Sequence, residues 1–206
     1  MHFTIFKTPV IRTLFKIISI ILLKITGWKL EGKFPKNRNC IVIAAPHTSN
    51  WDFFYGLILV LAGGIDTYWI GKASLFKFPF GPVMKWLGGI PVDRSKHNNM
   101  VSQVAESFSH SKSLAITIPP EGSRSARSHW KSGFYFIALK AQVPILLGFI
   151  DFKNKKGGFG PLFYPTGNIE ADMKTIRDFY KDIRGRYPEK ESEAQISKQH
   201  YNREIS

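Results

Sequence analysis

The sequence predicts an α/β fold: a single domain with a mixed, mostly parallel sheet flanked by helices, and an amphipathic helix at its N-terminus. Three observations carry this. Short apolar runs rich in β-branched residues alternate with longer stretches of helical periodicity, in the order strand, helix, strand, helix, strand, helix, strand. Polar loops punctuated by Pro and Gly follow the ends of those runs. Residues 1–38 are basic and apolar at once, unlike the rest of the chain. With 206 residues, 44% of them hydrophobic and 14% aromatic, the chain suits one domain around one core, and global disorder is excluded.

The first element is the N-terminal helix. At about 100° per residue, Arg12, Thr13, Lys16 and Ser19 fall on one flank while isoleucines and leucines fill the rest. The net charge is +14, and half of it, +7, lies in residues 1–40, whereas residues 151–206 contribute only +2. Such a helix suits the headgroup region of an anionic membrane surface, its cations facing the lipid. The rival reading is a helix packed on its own domain. A cleaved leader fits poorly, because Lys16 and Lys24 interrupt the apolar region and no small-residue cleavage site follows. The uncharged stretch 53–65 has 13 residues and three glycines, short of the roughly 20 that a spanning helix needs.

The domain proper is expected over 39–187. Cys40-Ile41-Val42-Ile43-Ala44-Ala45 reads as a buried strand closed by Pro46. His47-Thr48-Ser49-Asn50 then offers capping side chains before a helix to about 62. Further strands are expected at 67–71, 114–118 and 143–151, and helices at 83–87, 98–110 and 133–141. Gly157-Gly158-Phe159-Gly160 reads as a turn. Residues 188–206, rich in Glu, Lys, Ser and Gln, read as a polar tail, frayed or disordered.

Three loops carry chemistry. His47 and Asp52 are separated by a turn and the start of a helix, so the side chains can meet; a carboxylate on Nδ1 leaves Nε2 as a base. Gly89-Ile90-Pro91-Val92-Asp93-Arg94 and Pro120-Glu121-Gly122-Ser123-Arg124-Ser125 each end a strand with an arginine, a side chain that grips phosphate by paired hydrogen bonds. Taken singly, Asp93-Arg94 also reads as a turn ion pair and Glu121…Arg124 as a surface salt bridge. The lone cysteine, Cys40, excludes an intrachain disulfide or a multi-cysteine zinc site and fits a reducing compartment. Its place in an apolar strand makes it structural.

Together with Val143-Pro144-Ile145, these blocks resemble, in order and spacing, the glycerophospholipid acyltransferase family of the 1-acylglycerol-3-phosphate acyltransferase type. The resemblance spans roughly 40–150. Ser123 stands where the family usually has threonine, and Pro119 gives a double proline before Glu121. It implies transfer of a fatty acyl group from acyl-CoA or acyl carrier protein to a hydroxyl of a lysophospholipid or glycerol-phosphate-like acceptor. His47 is then the general base and Asp52 its orienter. Glu121, Gly122, Ser123 and Arg124 line the acceptor pocket, Arg94 and Arg124 hold a phosphate, and Lys72 and Lys131 are further candidates for that charge. No cofactor and no metal are implied, and the expected location is the cytoplasmic face of a membrane, peripheral or monotopic. The same dyad would serve a thioester or lipid hydrolase or an N-acyltransferase, and the basic charge alone a non-enzymatic lipid-binding protein. No nucleic-acid motif is present, and no Gly-x-Ser-x-Gly elbow.

Overall fold

The structure is a computed structural model that describes residues 2–36, 39–92 and 97–197. Seven strands form one sheet: β1 (Lys29–Glu31), β2 (Cys40–Ala45), β3 (Tyr68–Lys72), β4 (Gly89–Val92), β5 (Ala115–Ile118), β6 (Ile145–Asp151) and β7 (Lys156–Phe163). Their spatial order is β1-β7-β6-β2-β5-β3-β4. Every neighbouring pair is parallel except β6 and β7, which form an antiparallel hairpin. The α/β fold and the mostly parallel sheet are therefore as expected, with an antiparallel reversal at one side.

Period-2 alternation in β2 explains how the sheet sits between helices. Ile41, Ile43 and Ala45 pack with α4 (His97–Ser109), α5 (Gly133–Ala141) and α6 (Ile169–Tyr180), through Val104, Phe108, Ile137 and Ile176 among others. Cys40 and Val42 face the other way, toward Val60 and Ile65 at the end of α2 (Trp51–Ala62). Cys40 is fully buried, and burial pushes its thiol up to about 12. A thiol so hard to ionise is no nucleophile at neutral pH. Two further helices complete this side: α1 (Pro9–Thr26), packed on α2, and α3 (Gly81–Trp86), beside β4.

Three expectations are corrected. Gly157-Gly158-Phe159-Gly160 is not a turn but part of β7. Its glycines permit close approach: a Cβ at Gly158 would meet the Glu31 carbonyl of β1 at 1.9 Å, one at Gly157 the Leu59 side chain at 2.5 Å, and one at Gly160 the Phe179 ring at 2.4 Å. The second correction concerns α1, whose polar strip is drawn toward the domain at Arg12 and the buried Ser19, while Thr13 and Lys16 stay exposed. Arg12 donates to the Gly64 carbonyl at 2.8 Å and lies 3.5 Å from Asp66, and Lys16 reaches the same glycine. The C-terminal end of α2 carries the negative end of its dipole, so cations are drawn there rather than outward. Isoleucine, leucine and valine cover the outer face instead, with Val10 82% and Ile25 77% exposed. No helix among the described residues is long and apolar enough to cross a membrane.

The polar composition after residue 187 conceals an ordered strap through 197. Trp130, almost fully buried, donates its backbone N–H to Gln195 O at 2.7 Å and its indole N–H to Ser192 O at 3.3 Å, and Ala194 enters the main core. Backbone hydrogen bonding of this kind is invisible to composition.

Candidate active site

The site forms where β2 and β5 end side by side. Ile43 pairs with Ile118 in the parallel ladder, so the turn Pro46-His47 leaves the sheet next to Pro119-Pro120-Glu121. Open α/β sheets place their sites at this edge.

Asp52 is the second residue of α2, near the positive end of the helix dipole. Its Oδ2 accepts the backbone N–H groups of Thr48 and Ser49, both at 2.7 Å, and lies 3.1 Å from His47 Nδ1; its Oδ1 accepts the Ser49 hydroxyl at 2.9 Å. One buried carboxylate thus folds the loop and holds the imidazole. With Nδ1 donating its hydrogen to Asp52, Nε2 carries the lone pair. The ring is half-buried, which leaves an edge open to a substrate.

Glu121 is buried rather than lining a pocket. Its Oε1 accepts the His47 backbone N–H at 2.9 Å, and Oε2 has no hydrogen-bond partner among the described residues. Burial pushes this carboxyl up to about 8; the His47 N–H works against the shift, and the charges of Asp52 and Glu191 add to it. Gly122 follows with φ +67°, a left-handed conformation that suits glycine, and the Lys131 stem lies across it. Ser123 is occupied inside the loop: its hydroxyl donates to Ser125 O and accepts from Arg127 Nε, both at 3.2 Å. Arg124 reaches over to donate to Asn50 Oδ1, tying the loop to the start of α2.

Where the loop runs on from His47 lies an open cleft of about 390 Å³, lined by Thr48, Ser49, Asn50 and Trp51, by Arg124 and Ser125, and by Tyr187 and Lys190; His47 itself is not part of the lining. A larger hollow of about 690 Å³ opens at the opposite edge of the sheet, by Asn39 and Pro144. It is far from the dyad, whose loop runs into the wall of the smaller cleft.

The acyltransferase family model matches residues 28–146, more than half of the chain and all three of these loops. The chain belongs to the acyltransferase family. Among solved structures, the crystal structure of the 1-acyl-sn-glycerophosphate acyltransferase PlsC from Thermotoga maritima is similar, with 21% identity, a TM-score of 0.56, and coverage of 83% of this chain and 77% of that one. That likeness is one of fold. No curated protein matches the sequence.

Of the residues that sequence assigns to this acyltransferase's site, the fold brings together His47, Asp52, Glu121, Gly122, Ser123 and Arg124, with Lys131 packed over Gly122. Lys72, exposed at the end of β3, lies two strands from β2 and does not line the cleft. Arg94 lies outside the described residues. Sequence reasoning missed Asn50, Trp51, Tyr187 and Lys190. The only signal for the last two is the basic and aromatic run Arg184-Gly185-Arg186-Tyr187, which belongs to no motif.

Proposed function

We propose that this acyltransferase moves a fatty acyl group from a thioester, acyl-CoA or acyl carrier protein, to a hydroxyl of a lysophospholipid or glycerol-phosphate-like acceptor. The observation that carries this is the His47 Nδ1 to Asp52 Oδ2 separation of 3.1 Å, in a partly exposed imidazole whose loop continues into Thr48, Ser49, Asn50 and Trp51 along one wall of an open cleft. His47 Nε2 takes the acceptor's hydroxyl proton as the oxygen attacks the thioester carbonyl. The tetrahedral adduct collapses by breaking the carbon–sulfur bond, and the departing thiolate recovers the proton from the imidazolium. The products are one ester and one thiol. A thiol has a reference pKa of about 8.5, so it leaves more readily than an alkoxide. Asp52 fixes the tautomer and stabilises the imidazolium while it exists. Glu121 holds the His47 backbone from below rather than touching substrate.

The site works at the surface of an anionic membrane, on the cytoplasmic face where acyl-CoA is made available. In support, the outer face of α1 is apolar along its length, and the Phe15–Trp86 ring contact continues it toward α3 and the loop before it, where Phe78 is 91% exposed. A soluble globular surface rarely leaves so much apolar area uncovered.

The decisive experiment is acyl transfer from labelled acyl-CoA by His47→Ala, with products resolved as esterified lipid or free fatty acid. Loss of at least about 100-fold in kcat, with ester as the wild-type product, is expected. Retention of most of the turnover removes His47 as base, and free fatty acid as the wild-type product makes the enzyme a hydrolase.

A further inference from the structure

The chain beyond α6 lies outside the stretch matched by the family model, yet it forms a wall of the cleft. It is anchored at two points. On one side Phe152 donates its N–H to Arg184 O at 2.9 Å, Gly185 packs so closely on Thr48 that a Cβ would come within 2.8 Å of that side chain, and Tyr187 donates its N–H to Thr48 Oγ1 at 3.3 Å. Thr48 is the residue after His47. On the other side Trp130 grips Ser192 and Gln195. Between these anchors Tyr187 and Lys190 face Arg124 and Asn50 across the cleft.

The strap is also stiffened from within. The Arg186 guanidinium stacks over Trp51 at 5.2 Å and Tyr187 at 5.8 Å, and the Lys190 ammonium sits 4.5 Å from the Tyr187 ring. Glu191 on the strap is turned to the Gly185 N–H at 2.7 Å and to Arg184. Among the described residues neither Arg124 nor Lys190 pairs with a carboxylate. Two cations without counter-charge thus converge on one cleft beside a candidate base. An anion fills that need at least cost, and the planar fork of Arg124 with the point charge of Lys190 suits a phosphate.

We propose that Lys190 and Tyr187, supplied by the strap, complete with Arg124 a phosphate-binding subsite that selects a phosphorylated substrate for acyl transfer; this rests on the reading of His47 as the base. The shared chemistry is a phosphate ester, carried either by the acceptor, as in 1-acylglycerol 3-phosphate, or by the coenzyme A part of the donor. Lys190 is the specificity-determining group, and Tyr187 positions it.

The test pairs each substrate with an analogue that lacks phosphate: 1-acylglycerol 3-phosphate against monoacylglycerol, and acyl-CoA against acyl-N-acetylcysteamine. For Lys190→Ala, KM rises about 10-fold for one phosphorylated substrate while its unphosphorylated analogue is unaffected, kcat changes far less than KM, and Lys190→Arg recovers most of the loss. A rise confined to the acceptor assigns the acceptor's phosphate, and one confined to acyl-CoA assigns the donor's. Lys112→Ala, at the far edge of the sheet, is the control for simple loss of charge. Calorimetric binding of glycerol 3-phosphate and of coenzyme A to wild type, Lys190→Ala and His47→Ala judges the subsite apart from turnover. Equal KM values in wild type and Lys190→Ala, or equal affinities for both probes, overturn the subsite even if His47 is the base. Full turnover by His47→Ala overturns the mechanism while the binding data still decide on Lys190.

Discussion

Glu121 Oε1 accepts the His47 backbone N–H at 2.9 Å, while Oε2 of the same carboxyl is buried without a hydrogen-bond partner among the described residues. An uncharged carboxyl tolerates that environment better than a carboxylate, which is why burial lifts Glu121 to about 8. Between the ordinary value of 4.5 and about 8 the folded chain keeps a proton that the unfolded chain has lost. Its contribution is complete below 4.5 and declines as pH rises. Stability therefore falls across this window, by a few kcal/mol at most, or about 5–10 °C in Tm for a chain of this size. Glu121→Gln, which keeps the His47 bond and cannot ionise, flattens that slope. Thermal melts of both proteins from pH 5 to 8.5 check this, and parallel slopes count against it.

On the proposed mechanism Asp52 does two jobs that substitution separates. In Asp52→Asn the side-chain oxygen can still accept from Thr48 and Ser49, so the loop persists, but the charge that stabilises an imidazolium is gone. A fall of about 10²- to 10⁴-fold in kcat is expected, with little change in Tm. Asp52→Ala also strips two backbone N–H groups and the Ser49 hydroxyl of their acceptor, and costs in addition about 1–3 kcal/mol of stability. Kinetics and calorimetry on the two variants test the separation. An Asp52→Asn enzyme with wild-type kcat leaves Asp52 a purely structural residue.

How much of this was open to sequence reasoning depends on how local the determinant is. Strand β2 and helix α5 are legible to their boundaries, because breakers flank an unambiguous apolar pattern. The meeting of His47 and Asp52 is equally legible, since five residues across a helix start leave little freedom. β7 is not: its glycines answer to Glu31, Leu59 and Phe179, residues far away in the chain, so the local pattern reads as a turn. The inward turn of Arg12 is hidden for the same reason, because the carbonyl that draws it belongs to Gly64. Tyr187 meets Thr48 of the His47 loop across 139 residues of chain, bringing Lys190 to the same cleft, and no local signal carries that contact.

Gly158 offers a direct test of the hidden strand. It has φ +151°, and a Cβ there would come within 1.9 Å of the Glu31 carbonyl oxygen, against the Glu31 backbone rather than the end of a flexible side chain. Gly158→Ala is expected to unzip β1 from β7 and cost about 3 kcal/mol or more, within the range for severe backbone conflicts. The same change at Gly167, where a Cβ meets nothing within 4 Å, bears only the strain of φ +92° and costs about 1–2 kcal/mol. Denaturant unfolding of the pair distinguishes them, and a Gly158→Ala protein as stable as wild type contradicts the register of β1.

The two faces of α1 predict opposite phenotypes for charge and apolar substitutions. If membrane attachment came from the basic strip, removing Arg12 would release the protein from anionic vesicles. Arg12 is instead spent on Gly64 and Asp66, so Arg12→Ala is expected to lower stability by about 1–2 kcal/mol and leave vesicle binding nearly intact. Ile17 and Ile21, both exposed, make no such contacts, so Ile17→Asp with Ile21→Asp spares the fold but removes apolar area that lipid would otherwise cover. At about 1.5–3 kcal/mol for each apolar side chain buried, the double substitution weakens partitioning by at least about 100-fold. Flotation with vesicles containing phosphatidylglycerol, beside thermal melts of each variant, reads both axes. Loss of binding by Arg12→Ala at unchanged Tm, or retained binding by the aspartate pair, shows that the outer face of α1 is not what meets the membrane.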